Sequence, residues 1–171
     1  MQKLQEEIRR CVKGKGSVEE SDITQMPYLK LVVKEALRLH STVPFLLTRE
    51  CAKHCQIGGY DIYPGTRVLI NAWGIGRDPK VWTETASVFN PERLENAELD
   101  RSEMIPFGGG RRACPASSVA TQHVLLLTDN CGGKERGGKI DYKGIIQVIL
   151  GLLLENACGL FSIFGEEYES E

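Results

Sequence analysis

The chain lacks a dominant charge: 21 Lys and Arg stand against 23 Asp and Glu, for a formal net charge of −2. There is therefore no global electrostatic footprint for a nucleic acid, and no nucleic-acid partner is expected. It also lacks the positive-then-apolar layout of a secretory signal. Met1 to Lys13 instead carries Leu4, Ile8 and Val12 at helical spacing among charges, so no secretion is expected. No internal repeat is visible. The six cysteines (Cys11, Cys51, Cys55, Cys114, Cys131 and Cys158) have neither the density nor the spacing of a disulfide scaffold, and read as reduced thiols facing the cytosol. Cys51, His54 and Cys55 crowd together, but no second pair with zinc-site spacing follows them. They are read as residues flanking a strand.

What is present is a globular composition, 42% hydrophobic and 26% charged over 171 residues, enough for one domain with an apolar core. Gly14 to Gly16 end the first amphipathic helix, and Ser17 to Asp22 read as a polar connector. Pro27 suits an early helical position, because its missing N–H would have no partner there. From Tyr28 to Leu39 the apolar residues Leu29, Val32, Val33, Ala36 and Leu37 describe one helical face. After Pro44 the pattern changes to short apolar runs divided by Gly58-Gly59 and Pro64-Gly65, which predicts strands with tight turns up to Ile70. Asn71 to Leu94 is rich in turn signals around Trp73 and Trp82, predicting short helical turns in an irregular coil. Helical spacing returns from Ser117 to Leu127. Beyond the charged Gly132 to Lys139 loop, Ile145 to Phe164 is apolar and nearly long enough to span a bilayer. Glu155 and Asn156 in its middle would be costly in lipid, so a buried or misassembled helix is the preferred reading.

Chemistry concentrates in Pro106-Phe107-Gly108-Gly109-Gly110-Arg111-Arg112-Ala113-Cys114-Pro115-Ala116, immediately before a helical pattern. Glycines let the backbone take positive φ and approach a flat ligand, a cysteine at a helix N-terminus is favoured as thiolate, and arginines pair with carboxylates. A phosphate-binding glycine loop is the competing reading, but the Gly-Lys-Ser/Thr ending is absent and the cysteine would have no role.

This loop resembles the cytochrome P450 signature Phe-x-x-Gly-x-Arg-x-Cys-x-Gly, matched at Phe107, Gly110, Arg112 and Cys114, with Ala116 in place of the last glycine. Glu35-Ala36-Leu37-Arg38 is similar to the family's Glu-x-x-Arg, whose spacing places both side chains on one helix face. Taken alone, the pair is one more surface ion pair worth a fraction of a kcal/mol. Phe89-Asn90-Pro91-Glu92-Arg93-Leu94 resembles the Pro-Glu-Arg-Phe segment that completes the pair, offering Arg93 with Leu94 for the usual Phe. Arg49 matches a strand arginine that helps bind a haem propionate; alone it reads as an exposed edge-strand charge. The stretch from Gly58 to Trp82 looks most like plant members of the family.

The resemblance implies a mainly α fold with a small β-sheet, the C-terminal part of a cytochrome P450. It would comprise the Glu-x-x-Arg helix, a β-element, the meander coil, the cysteine loop and the following helix, over residues 1–127, with a divergent tail at 128–171. It implies haem b (iron protoporphyrin IX) ligated by Cys114, with Phe107, Gly110, Arg112 and Arg49 around it and Glu35, Arg38 and Arg93 as structural braces. The implied activity is that of a monooxygenase inserting one oxygen atom from O₂ into a small apolar substrate, with NADPH-cytochrome P450 reductase as partner, at the cytosolic face of the endoplasmic reticulum membrane. The oxygen-handling Ala/Gly-Gly-x-Asp/Glu-Thr segment and the membrane anchor of relatives are not found in the chain. The alternative is therefore a catalytically inactive truncated fragment that at most binds haem. A shortened coil between Leu94 and Ile105, and Asp141-Tyr142-Lys143-Gly144 standing after the cysteine loop rather than before it, point to a rearranged reading frame.

Overall fold

The computed structural model describes residues 2–12, 20–97, 102–115, 117–118 and 121–122. In chain order these form α1 (Gln2–Val12), α2 (Glu20–Ile23), α3 (Pro27–Leu39), β1 (Arg49–Glu50), β2 (Cys55–Ile57), β3 (Tyr60–Ile62), β4 (Arg67–Val68), α4 (Ala72–Ile75) and α5 (Pro79–Trp82). Two 3₁₀ turns follow, Pro91–Leu94 and Gly110–Arg112. Helices with a little sheet are thus found as expected, with two corrections. The polar connector before Asp22 runs into the helical turn α2. The β-element is two separate antiparallel ladders, β1 with β4 and β2 with β3.

The separation has a local cause. Gly58 and Gly59 both take positive φ, 59° and 86°, which closes β2 and β3 into an inner hairpin. Pro64-Gly65, with Gly65 at φ 83° and Thr66 N–H donating to Tyr63 O at 3.1 Å, makes a second turn that breaks the ladder before β4 returns to β1.

The core lies between α1 and α3. Leu4 and Ile8 meet Met26, Leu29, Val32, Val33 and Ala36, all at most 2% exposed, and each large side chain so buried contributes about 1.5–3 kcal/mol. Helix α3 has no side-chain cap of its own, since Met26 stands at the N-cap and Pro27 has no N–H. The cap comes from α1: Glu7 accepts from the N–H groups of Tyr28 at 3.1 Å and Leu29 at 2.8 Å. Beside it the Tyr28 hydroxyl donates to Glu92 at 2.8 Å, and burial followed by that hydrogen bond pushes the phenol up to about 12. Replacing Glu7 by alanine should cost about 2 kcal/mol in urea unfolding, the upper range for a lost cap. Glu7→Gln, which keeps one acceptor, should cost less than half of that; equal losses would refute the capping role.

Residues 117–118 and 121–122 are helical, and Thr121 Oγ1 donates to Ser117 O at 2.7 Å. Ala116, the rest of the expected helix to Leu127, and the tail at 128–171 with its apolar segment and Asp141 to Gly144 lie outside the described residues. Among the described residues no helix is long and apolar enough to cross a membrane.

Candidate functional site

Glu35 and Arg38, one turn apart on α3, are fully buried, with side chains 0% exposed. The surface ion pair that the spacing alone suggests is therefore replaced by a desolvated one. Arg38 approaches side-on, Nε donating to Oε2 at 2.8 Å and Nη2 to Oε1 at 2.7 Å. Its remaining donors go to the carbonyls of Gly76, Ala86 at 2.7 Å and Val88 at 3.3 Å. Arg93 comes from the Pro91–Leu94 turn, its Nε 3.1 Å from Glu35 Oε1, and donates to Trp82 O at 3.0 Å, Thr85 O at 2.8 Å and Val88 O at 2.9 Å. The Asn90 N–H adds a further bond to Glu35 Oε1 at 2.9 Å. The coil from α5 to this turn has no strand partner for its carbonyls, and the two guanidinium groups satisfy them instead. Trp82 lies under Arg38 at 4.9 Å and donates its indole N–H to Ile75 O at 3.0 Å.

The cysteine loop closes on itself. The Cys114 N–H donates to Phe107 O at 2.9 Å, Gly108 N–H to Ile105 O at 3.0 Å and Ala113 N–H to Gly110 O at 3.2 Å. Gly108 and Gly110 sit at φ 74° and 68°, the left-handed region where a side chain would be strained. Phe107 and Met104 pack against the α1–α3 core and so anchor the loop's near side. From β1, Arg49 reaches across to donate to Arg112 O at 3.1 Å. Arg49, Phe107, Gly110, Arg112 and Cys114 thus meet in one place. A narrow cleft lined by Leu37, Arg38, Gly76, Met104, Ile105 and Pro106 marks where the buried charge cluster adjoins this loop.

The loop's geometry suits a flat anionic ligand. Nothing lies within 4 Å of where a Cβ would stand at Gly108 or Gly110, so a planar group could approach the backbone closely. Cys114 is half-buried and, among the described residues, its sulfur has no hydrogen-bond partner. Arg111 and Arg112 are exposed and form no ion pair with the described residues, leaving both cations free for carboxylates. At the C-terminal end of α3, His40 is held below its usual range by burial, then by the charges of Arg77 and Arg38.

Sequence reasoning missed the Asn90 amide, Trp82 and Gly76. All three lie in stretches the sequence singled out as turn-rich coil or as the Pro-Glu-Arg segment, but without a role; the Gly76 backbone is so close to Arg38 that a Cβ would stand 2.6 Å from the Arg38 carbonyl oxygen.

Comparison with known proteins matches this geometry to one family. The Cytochrome P450 family model matches residues 1–130. Eupatolide synthase of Helianthus annuus is 56% identical over 130 residues, covering 76% of this chain and 26% of that protein. Parthenolide synthase of Tanacetum parthenium is 55% identical over 134 residues, with the same shares. The chain therefore spans about a quarter of the length of the curated relatives it matches. A solved zebra fish cytochrome P450 with abiraterone superposes with a TM-score of 0.69 at 31% identity, covering 78% of this chain and 31% of that one. On the family match and these similarities, the chain belongs to the cytochrome P450 family.

Proposed function

We propose that residues 1–127 are the C-terminal, haem-thiolate part of a plant-type cytochrome P450 monooxygenase, with 128–171 a divergent tail. Cys114 is the iron ligand, Arg112 and Arg49 meet the haem carboxylates, and Phe107 and Gly110 shape the loop. The supporting observation is the self-closed loop from Phe107 to Cys114, with open space at its glycines and Arg49 brought to it from β1. Haem b with a thiolate ligand supplies insertion of one oxygen atom from O₂ into carbon, the thiolate's electron donation favouring O–O cleavage. This chain's residues hold and orient: the Glu35, Arg38 and Arg93 cluster fixes the coil behind the ligand loop, and the exposed arginines neutralise carboxylates. The substrate is a small apolar organic molecule, electrons come from NADPH-cytochrome P450 reductase, and the site of action is the cytosolic face of the endoplasmic reticulum membrane.

A second reading, a catalytically inactive truncated fragment that at most binds haem, is favoured by one observation. Phe45, Leu47 and Trp73 are 54%, 60% and 49% exposed, large apolar groups left in water beside the segment that follows α3.

Expressing the chain with haem and recording the reduced, carbon monoxide-bound spectrum tests the site. A thiolate-type Soret band is expected, lost in Cys114→Ser with the urea midpoint of the haem-free protein unchanged. No haem uptake by the unmodified chain would overturn the assignment. NADPH consumption coupled to product with added reductase would remove the second reading.

A further inference from the structure

The segment joining β1 to β2 carries at its two ends a pair of sulfur atoms that the haem site does not use. Cys51 Sγ and Cys55 Sγ are 3.9 Å apart. Their backbones are pinned independently. Cys51 is held by its N–H to Thr66 O and its carbonyl to Gly65 N–H, each 2.9 Å. Cys55 is held as the partner of Ile62 in the β2–β3 ladder. Cys51 Sγ also lies 3.7 Å from Ile62 O, so its side chain is already turned toward the rung on which Cys55 sits. Between the two, His54 is stacked on Tyr63 with centroids 5.2 Å apart and its Nε2 lies 3.0 Å from Asp61, which holds the connecting turn. Among the described residues no group of three ligands gathers here, so two thiols stand without the further donors a metal ion would need.

We propose that Cys51 and Cys55 are a reversible dithiol–disulfide pair, oxidised by a low-molecular-weight disulfide. A disulfide requires the sulfurs to close to about 2.05 Å, which side-chain rotation and a small shift of the turn supply. Cys55, the exposed member, attacks first as its thiolate. One sulfur of the external disulfide becomes bonded to Cys55, and the other leaves as a thiolate that takes up the proton Cys55 gave to solvent. Cys51, as thiolate, then displaces the second external thiol, so two protein thiols and one external disulfide become one protein disulfide and two external thiols. The hydrogen bond shared with Cys51 raises the Cys55 pKa, which keeps its thiolate fraction small at neutral pH, so the first step goes on quickening as pH rises into the alkaline range. Closure ties the end of β1 to the start of β2 and leaves the haem-binding reading untouched if it fails.

The test uses the full chain, equilibrated with mixtures of oxidised and reduced glutathione, quenched in acid, alkylated and digested with trypsin. Cleavage after Lys53 separates the two cysteines, so a disulfide shows as the peptide Glu50–Lys53 joined to His54–Arg67. The joined peptide is expected, lost on reduction, and several-fold less abundant when the same mixture is applied in urea. In Cys51→Ser, Cys55 should instead accumulate bound glutathione. Equal yields with and without urea, joining of Cys55 to a second copy of the chain, or no joined peptide while Cys55 takes up glutathione would each overturn the proposal.

Discussion

Replacing Glu35 by alanine is expected to remove about 3–5 kcal/mol of folding stability, much of the roughly 5–15 kcal/mol that holds a domain together. The carboxylate accepts from Arg38 twice, from Arg93 and from the Asn90 amide. Without it the Arg38 guanidinium, with no exposed surface, is left as a buried charge with only carbonyl partners. Removing one partner of such a pair costs far more than the pair is worth, because desolvation of the other is no longer offset. The double variant Glu35→Ala/Arg38→Ala should therefore lose clearly less than the sum of the single losses in urea unfolding. Strict additivity would mean that the two do not act as a unit. Arg38→Lys should not rescue, since an ammonium cannot give the side-on pair and reach Ala86 and Gly76 together.

Gly76→Ala is the second large effect. A Cβ there would stand 2.6 Å from the Arg38 carbonyl oxygen and 3.5 Å from the Ala72 carbonyl oxygen, and both are backbone atoms that no rotamer change can move. Gly76 has φ −65°, so the requirement is for close approach and not for an unusual conformation. Relief has to come from separating α4 from α3, which also pulls the Gly76 carbonyl away from the Arg38 guanidinium. We expect about 3 kcal/mol, the upper range for overpacking. Gly109→Ala, where the new methyl would meet only Ile105 Cγ2 at 3.7 Å, should cost little when both variants are compared by urea unfolding. Similar losses at both glycines would rule out the close approach as the cause.

Helix α3 was legible because its apolar face repeats with helical spacing, and the hairpin because Gly58-Gly59 is a turn signal that acts over two residues. The cysteine loop was legible through chemistry, since only a few ligands call for glycines, arginines and a cysteine together. What escaped was set by contacts between distant residues. Glu7 looks like any charge on an amphipathic helix until the orphan amides of Tyr28 and Leu29 are placed beside it. The burial of Glu35 and Arg38 is decided by a coil some fifty residues later, with Val88 O bonded to Arg38 across a separation of 50. Two ladders replace one sheet because the Pro64-Gly65 turn diverts the chain, and local propensity does not say how far such a diversion reaches.

The carbonyl clamp formed by Arg38 and Arg93 has a consequence for how the coil opens. A loop without ladder partners ordinarily exchanges its amide hydrogens through small, independent fluctuations. Here Gly76, Trp82, Thr85, Ala86 and Val88 all answer to two guanidinium groups that share one carboxylate. Releasing the Gly76 or Ala86 carbonyl leaves a buried Arg38 donor unmet, and the Arg93 bonds share the same carboxylate, so the segment opens as a cooperative unit. Its internally bonded amides, such as Trp82 N–H on Asp78 O and Ala86 N–H on Thr83 O, will exchange at rates set by the global unfolding of α3.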